Sequence, residues 1–536
     1  MILILLTWIY MFVVFFIQGA LTNKILFKSE LKNVGEIALL GMLFQTVLIT
    51  ILAFGIRINI EYFIFNTLIT FTLAIVYRKS LYALLLQQKK WTIFARSIFI
   101  VFVVLVLARS SMLPFIIDNE TYYIQTIRWL NEYGWVKGLA NLHIFLGHAS
   151  PWHALQAANN FSFLYSNFND INGFLISLLA YIFFGEISRM QEDKDYSSNY
   201  WLYFLPLPLV LLFQFIDSPS TDLPLLTISL LLFYYVLNPS EIRKRLIILF
   251  SIYLVFIKVS IFPILLLAFF HVNKHNWKFF LSCATLFFSI FVFKNIYITG
   301  CPLSPSLIWR LDLPWTIPLG LEMVVSFDNL NLNVFSLNSM MYLILFIPIL
   351  PYIWIARKHS MHKPLLIFFI SNILFVFLIH PQPRYSFQSI LFPFIFFVSQ
   401  IRLSLFKLKL MLWVFILCPL IPMFVDLEYE YLSREASLHR IDVFKGEYIL
   451  LPAINTKYTE LIFEKKRCTN FYFYAPIDTF SFPYLTGNGP LPCLEESYLQ
   501  FMYQSTQKLP ALMGADLCSG FMSVSEQEWE DFDNQK

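Results

Sequence analysis

Charged side chains are scarce in this sequence. Asp, Glu, Lys and Arg make up 13% of its 536 residues, about half the ~25% usual in a soluble protein. A larger core cannot account for that deficit, because 58% of the chain is hydrophobic and Phe alone occurs 59 times. A water-soluble globule is therefore excluded as the whole architecture. An excess of cations is lacking too. The net charge of +4 is small and spread out, which excludes a basic nucleic-acid face. The opening segment lacks a basic n-region and a small-residue cleavage site, so 2–21 reads as a first transmembrane helix and not as a removed signal peptide. Cysteines are few. Cys468, Cys493 and Cys518 fall in the tail and Cys301 in a loop. An oxidising compartment would let two of them pair, but the odd number argues against a disulfide framework. Internal repeats and low-complexity stretches are absent.

What remains is apolar runs near the ~20 residues needed to span hydrocarbon. They fall near 2–21, 34–55, 59–77, 91–109, 172–188, 200–216, 223–238, 246–257, 259–271, 278–298, 337–355, 364–380, 386–401 and 408–425. This predicts an all-α polytopic membrane protein of about 12–14 transmembrane helices. Basic clusters mark alternate ends: Lys24/Lys28/Lys32, Arg78/Lys79/Lys89/Lys90, Arg243/Lys244/Arg245, Lys274/Lys278, Arg357/Lys358/Lys363 and Arg402/Lys407/Lys409. The positive-inside rule puts those ends in the cytoplasm. Loops 110–171, 217–222, 299–336 and 381–385 then lie outside, with the N-terminus and the tail after Val425. The alternation requires two passes or a re-entrant turn around Lys258, where Pro263 also interrupts the run. The tail is charged and mixed, and long enough for a small α+β domain. The predicted divisions are 1–110 (N-terminal helices), 111–171 (a large outer loop with interfacial helices and an acidic motif), 172–425 (the transmembrane core) and 426–536 (an extracytoplasmic domain).

The outer loops hold the chemically interesting residues. Asp118 and Glu120 follow Pro114-Phe115-Ile116-Ile117, an apolar setting in which two carboxylates are unusual. One would act as a general base, or the two would hold a divalent cation. Capping of the next helix by Asp118 or Asn119 is an equally good reading. That helix, 122–135, carries Tyr123, Ile127, Leu130, Trp129 and Trp135, a pattern suited to the plane of the membrane interface. Asp217 and Asp222 flank Ser218-Pro219-Ser220-Thr221. There a helix start, with Pro224 in the first turn, is the stronger reading. Lys258 lies in an apolar run, where a charge is a functional hypothesis by default. Lys294-Asn295 and Thr299-Gly300-Cys301-Pro302 describe a rigid turn past a helix end. Arg384, in Pro381-Gln382-Pro383-Arg384-Tyr385, is an isolated cation suited to binding phosphate oxygens. His143, His148 and His153 recur every five residues, which is not the spacing of a helical metal pair. His148 and His153 read as polar loop residues facing a substrate.

Taken together, these short motifs, in this order and on one side, resemble the GT-C superfamily of polytopic glycosyltransferases. More closely they resemble an uncharacterised bacterial family of membrane proteins related to it. The likeness covers roughly 90–425 and differs in placing three or more spans before the acidic loop, where the superfamily usually has one. The resemblance implies a GT-C-like fold in the bacterial cytoplasmic membrane. It implies transfer of a sugar from a polyprenyl-phosphate donor to an envelope glycan, lipid or protein acceptor on the outer face. Asp118 or Glu120 would be the base, with Mg2+ or Mn2+ held by the same pair if a metal is used. Lys258 and Arg384 would hold the donor phosphate, with Asp217, Asp222, His148 and His153 as further substrate contacts. A lipid-linked glycan polymerase, ligase or flippase is the alternative, and a non-catalytic scaffold a third. A flippase needs a charged path through the bilayer, which the scarcity of embedded charges beyond Lys258 and Arg96 disfavours.

Overall fold

A computed structural model of the chain describes residues 1–88, 90–165, 170–194, 199–207, 212–306, 309–321, 346–379, 383–401, 403–424, 442–458, 461–477 and 485–525. The described structure is mostly helical. Eight of its helices are long and apolar enough to cross a membrane. They include α1 (Ile2–Phe27), α2 (Val34–Leu52), α3 (Ile60–Leu86), α4 (Ile93–Ser110), α7 (Ile171–Asp193) and α11 (Trp277–Thr299). The last two are 360–379, containing α13 (Lys363–Ile379), and 405–424, containing α15 (Leu405–Leu417) and α16 (Leu420–Phe424). Shorter apolar helices complete the body: α8 (Asp222–Leu237), α9 (Glu241–Ile257), α10 (Leu265–His271), α12 (Ile349–Lys358) and α14 (Phe387–Val398). Leu68, Phe71, Val76, Phe288 and Phe293 stand exposed on α3 and α11. Apolar surface of that extent suits hydrocarbon and not water.

The described residues of the expected span at 200–216 form no membrane-crossing helix. It holds two short 3-10 turns, Tyr200–Phe204 and Phe213–Phe215. Pro206 lies between them and removes a backbone donor from any continuous helix. Its apolarity reflects burial: Trp201, Tyr203, Phe213 and Phe215 are all interior. The expected span at 337–355 is described only from residue 346, where α12 begins three residues later.

Two devices hold the N-terminal helices together. α1 and α2 touch backbone to backbone, because a Cβ on Gly19 would lie 1.9 Å from the Ile37 carbonyl oxygen and one on Gly41 1.8 Å from that of Phe15. Small residues permit this approach in the absence of a hydrophobic driving force between helices in lipid. α3 is held by amides. Gln18 Nε2 donates to Asn66 Oδ1 and Thr70 Oγ1 at 2.8 Å each, and Gln45 Nε2 donates to Asn66 Oδ1 at 2.7 Å.

The chain reverses at Lys258. α9 ends at Ile257, Lys258 is extended, and a 3-10 segment (Val259–Ile264) containing Pro263 leads into α10. Asn273 returns to hydrogen-bond Glu241 at the start of α9, so the region makes two antiparallel passes. The lengths match: six 3-10 and seven α residues rise roughly 22 Å, against roughly 26 Å for the 17 residues of α9.

Loop 111–171 folds over one end of the helices, as α5 (Ile124–Glu132), α6 (Pro151–Ala158) and short turns. α5 does not lie bare at an interface, as its pattern suggested. Ile127, Trp129 and Leu130 are all buried, because α5 packs against α6 and C-terminal Phe521 meets Trp129. The C-terminal residues form two antiparallel hairpins, β1 (Phe463–Cys468) with β2 (Phe471–Pro476) and β3 (Lys508–Leu512) with β4 (Phe521–Ser525), and helix α17 (Glu496–Thr506). The small α+β unit expected in the tail is therefore present. Ala453 N bonds Ser111 O at 2.8 Å and Phe521 N bonds Lys137 O at 2.9 Å, which places the unit at the end of the body that carries the acidic loop. All six cysteines are free thiols.

Two measurements test this arrangement. Gly41→Ala should cost at least about 3 kcal/mol, since neither backbone can retreat, and lower the melting temperature in detergent. Gly55→Ala, where a Cβ meets nothing within 4 Å, should leave it unchanged. Equal melting of the two variants would refute the close crossing. Cys518 is the one cysteine of the six that is exposed. An impermeant maleimide should label it from one side of the membrane only, whereas His275→Cys in a Cys518→Ser background, at the opposite end of α11, should react only from the other side. Labelling of both from one side would overturn the two-ended topology.

Candidate functional site

Four of the ionisable residues singled out above meet at the end of the helical body covered by loop 111–171. Each arrives from a different element. Asp118 immediately precedes a π-turn, Asn119–Tyr123. Asp222 opens α8, with Pro224 in its first turn. Ser220 Oγ accepts from Asp222 N at 3.3 Å, so the serine does the capping and leaves the Asp222 carboxylate for other partners. Lys258 sits at the break after α9. Arg384 lies in the turn Pro383–Ser386 before α14.

The four form a chain of alternating charge, in the order Lys258, Asp222, Arg384, Asp118. Lys258 Nζ donates to Asp222 Oδ1 at 2.5 Å. Arg384 Nη1 donates to Asp118 Oδ2 at 2.7 Å, and Arg384 Nε lies 3.9 Å from Asp222 Oδ2. Tyr385 supplies an aromatic face to both cations, its ring centre 4.3 Å from Lys258 Nζ and 5.2 Å from Arg384 Cζ. Two cations and two carboxylates cancel, as burial in so apolar a body demands. Accessibility separates their roles. The side chains of Asp118, Lys258 and Arg384 are 21%, 22% and 30% exposed, whereas that of Asp222 is 3% exposed. Three can reach a ligand, and Asp222 holds them.

A second layer lies behind Asp118. The ring of Tyr122 stands 5.9 Å from that of His153 and 6.3 Å from that of His148, and Tyr123 is 4.8 Å from His153. Burial pushes the pKa of His148 down to about 4 and that of His153 to about 3. Both are therefore neutral near pH 7 and act as hydrogen-bonding groups, not as phosphate-binding cations. Burial, followed by nearby charges including Asp118, keeps both tyrosines far above their usual range. His143 stacks on Tyr498 instead, at 4.2 Å.

Glu120 and Asp217 lie outside this cluster. The Glu120 carboxylate accepts from Thr456 Oγ1 at 2.6 Å, Lys457 N at 3.1 Å and Asn119 Nδ2 at 3.2 Å. Its carbonyl accepts from Thr486 N at 3.1 Å and Gly487 N at 2.9 Å. It fastens the C-terminal unit to the acidic loop. A Mg2+ or Mn2+ shared by Asp118 and Glu120 does not fit this arrangement, since each carboxylate has its own partners. Among the described residues no three His, Cys, Asp or Glu side chains gather as metal ligands. Asp217 is paired with Arg109, fully inside the protein. Burial raises its pKa to about 7 while Arg109 pulls the other way. It is a strut between α4 and the start of α8. His380, Pro381 and Gln382 lie outside the described residues.

Sequence reasoning missed two contributors. The sequence assigns Tyr385 no role of its own, yet its ring backs both cations. Lys294 read as part of a helix end, yet it is buried and its Nζ donates to Ala149 O, pinning the loop beside His148. The signal for Lys294 was a cation four residues inside an apolar helix. The turn beyond it matches the reading of simple helix termination: Gly300 is left-handed at φ 74°, and Asn295 Nδ2 donates to Ser304 O at 3.1 Å.

A family described as Domain of unknown function (DUF8201) matches residues 1–326, more than half of the chain, and the chain belongs to that family. No curated protein and no solved structure matches the chain.

The Glu120 contact has a pH signature. Burial raises its pKa above the ordinary 4.5, against the pull of Thr456, Lys457 and Asn119. A folded-state value above the unfolded one stabilises below about 4.5, and that contribution is lost as pH rises through the folded value. Hydrogen exchange over 485–489, taken as the ratio of wild type to Glu120→Gln at each pH, should therefore rise with pH above 4.5. A flat ratio would refute it. Glu120→Ala, which strands buried donors at a cost on the order of 3 kcal/mol, should release the C-terminal unit to protease.

Proposed function

We propose that this member of the DUF8201 family is a membrane glycosyltransferase. It moves a sugar from a polyprenyl-phosphate donor to an envelope acceptor on the outer face of the bacterial cytoplasmic membrane. One observation supports this above all: Asp118, Asp222, Lys258 and Arg384, scattered over 267 positions of the sequence, meet in one partly open cluster at one end of an apolar helical body. A base beside two cations at that depth suits a substrate whose reacting phosphate is carried on a lipid.

The chemistry follows from the roles. Arg384 and Lys258 bind the oxygens of the donor phosphate. Asp118 takes the proton of the acceptor hydroxyl as its oxygen attacks the anomeric carbon. The bond from that carbon to the phosphate oxygen breaks, and its electron pair stays on the phosphate. The charge that develops there is stabilised by the two cations, already oriented by Asp222 and Tyr385 in a site partly shielded from water. Displacement in one step inverts the anomeric centre. Neutral His148 and His153 are placed to hydrogen-bond sugar or acceptor hydroxyls.

The test is turnover of a panel of undecaprenyl-phosphate sugars by the full-length protein in nanodiscs, read as release of undecaprenyl phosphate. Asp118→Asn should lose about 10²- to 10⁴-fold, the range for a general base, with unchanged melting temperature, and Lys258→Gln about 10²-fold or more, with a lowered melting temperature because buried Asp222 loses its cation. Normal turnover by Asp118→Asn would remove it from the mechanism. If no phosphate-linked sugar is consumed by wild type, the transferase reading is refuted.

A further inference from the structure

Arg384 stands between two carboxylates but is bonded to one. Its Nη1 is 2.7 Å from Asp118 Oδ2, while its Nε is 3.9 Å from Asp222 Oδ2. Asp222 Oδ1 is taken by Lys258, and Asp222 Oδ2 is buried with no hydrogen-bond partner. A vacant acceptor thus lies about 1 Å beyond hydrogen-bond reach of the guanidinium. Resting on the transferase reading above, we propose that Arg384 masks Asp118 until a phosphodiester draws the guanidinium toward Asp222 and Lys258. Asp222 is the positioning residue that provides the second seat.

The physical reason is charge balance. A carboxylate bonded to a guanidinium is a poor base, because taking up a proton breaks the ion pair. At rest the cluster carries two positive and two negative charges. A phosphodiester adds one negative charge and competes for the planar donors of Arg384, which suit phosphate as well as they suit carboxylate. Asp118 is then left without its guanidinium partner, and its carboxylate oxygen is open to take the proton of the acceptor hydroxyl. The anion that is to be the leaving group therefore switches on the base. The donor must bind before the acceptor hydroxyl can be activated, and a sugar donor with an uncharged leaving group fails to unmask Asp118.

Carbodiimide labelling of carboxyl groups reads this directly, with modified Asp118 quantified by peptide mass spectrometry on the full-length protein in nanodiscs. The probes are citronellyl methyl phosphate, a prenyl phosphodiester, and dimethyl phosphate, its lipid-free counterpart. Asp118 should label poorly alone and several-fold more with the prenyl probe. Arg384→Gln should label at the higher level without probe. Asp222→Asn should bind the probe, read as a thermal shift, yet lose the labelling response, which a merely structural role for Asp222 would not produce. A response to dimethyl phosphate assigns the trigger to the anion alone; a response confined to the prenyl probe assigns it to lipid-borne phosphate. If the prenyl probe shifts wild-type melting through Lys258 but leaves Asp118 labelling unchanged, the latch is refuted and the transferase reading stands. If the prenyl probe gives no shift at all, both fall. Should Arg384→Gln fail to fold, the wild-type arms alone decide.

Discussion

An ionised side chain inside an apolar body must have a partner or lose its charge, and that rule organises this end of the protein. Asp222 is its centre. The carboxylate holds the ammonium of Lys258 and faces the guanidinium of Arg384, while Asp118 pairs with Arg384 from the loop side. Deprived of Asp222, two cations would stand over one tyrosine ring with one carboxylate between them. The elements that deliver these residues are unlike one another: the start of a proline-bearing helix, the break between two antiparallel passes, a 3-10 turn and a π-turn. What they share is the need to bring a charge to a common place. A helix broken at Lys258 is costly in isolation, and the ion pair with Asp222 offsets that cost.

Two carboxylates two residues apart serve different ends. Asp118 is partly exposed and turned to the cations. Glu120 is fully enclosed by the C-terminal unit. The π-turn that starts after Asp118 and contains Glu120 widens the local repeat to five residues, a geometry that recurs at functional sites. Here it separates a chemical role from a fastening role within one acidic motif. The fastening matters for the site, since Gln125 and Arg128 on α5 also bond the carbonyl of Gly489. The loop bearing Asp118 is thus gripped at several points by residues more than 300 positions later.

Much of this was legible because charge is conspicuous where it is rare. Lys258 stood out inside an apolar run, Arg384 as a cation on the side with few, and Asp118 after Phe115-Ile116-Ile117. Their convergence followed from assigning each loop to an end. The readings that failed did so for want of long-range partners. Glu120 looked like the twin of Asp118, and only Thr456 and Lys457 show otherwise. Asp217 looked like a ligand, but Arg109 neutralises it. The run 200–216 was apolar enough to span, yet Pro206 and burial make it packing, because hydropathy does not separate lipid from protein interior. α5 had the pattern of an interfacial helix, and its apolar stripe meets Phe471 and Phe521 by way of Trp129 instead.

The separation of these partners along the chain sets an order for biogenesis. Lys258 lies 36 residues after Asp222, so their pair can close while the helices around them are being inserted. Arg384 emerges 266 residues after Asp118. At ribosomal speeds of about 5–20 residues per second, that delay is on the order of tens of seconds. For that interval Asp118 has no counter-ion, and a nascent chain can keep it charged only where water reaches it. The acidic loop must therefore wait, solvated, for the later helices to bring the guanidinium that completes it.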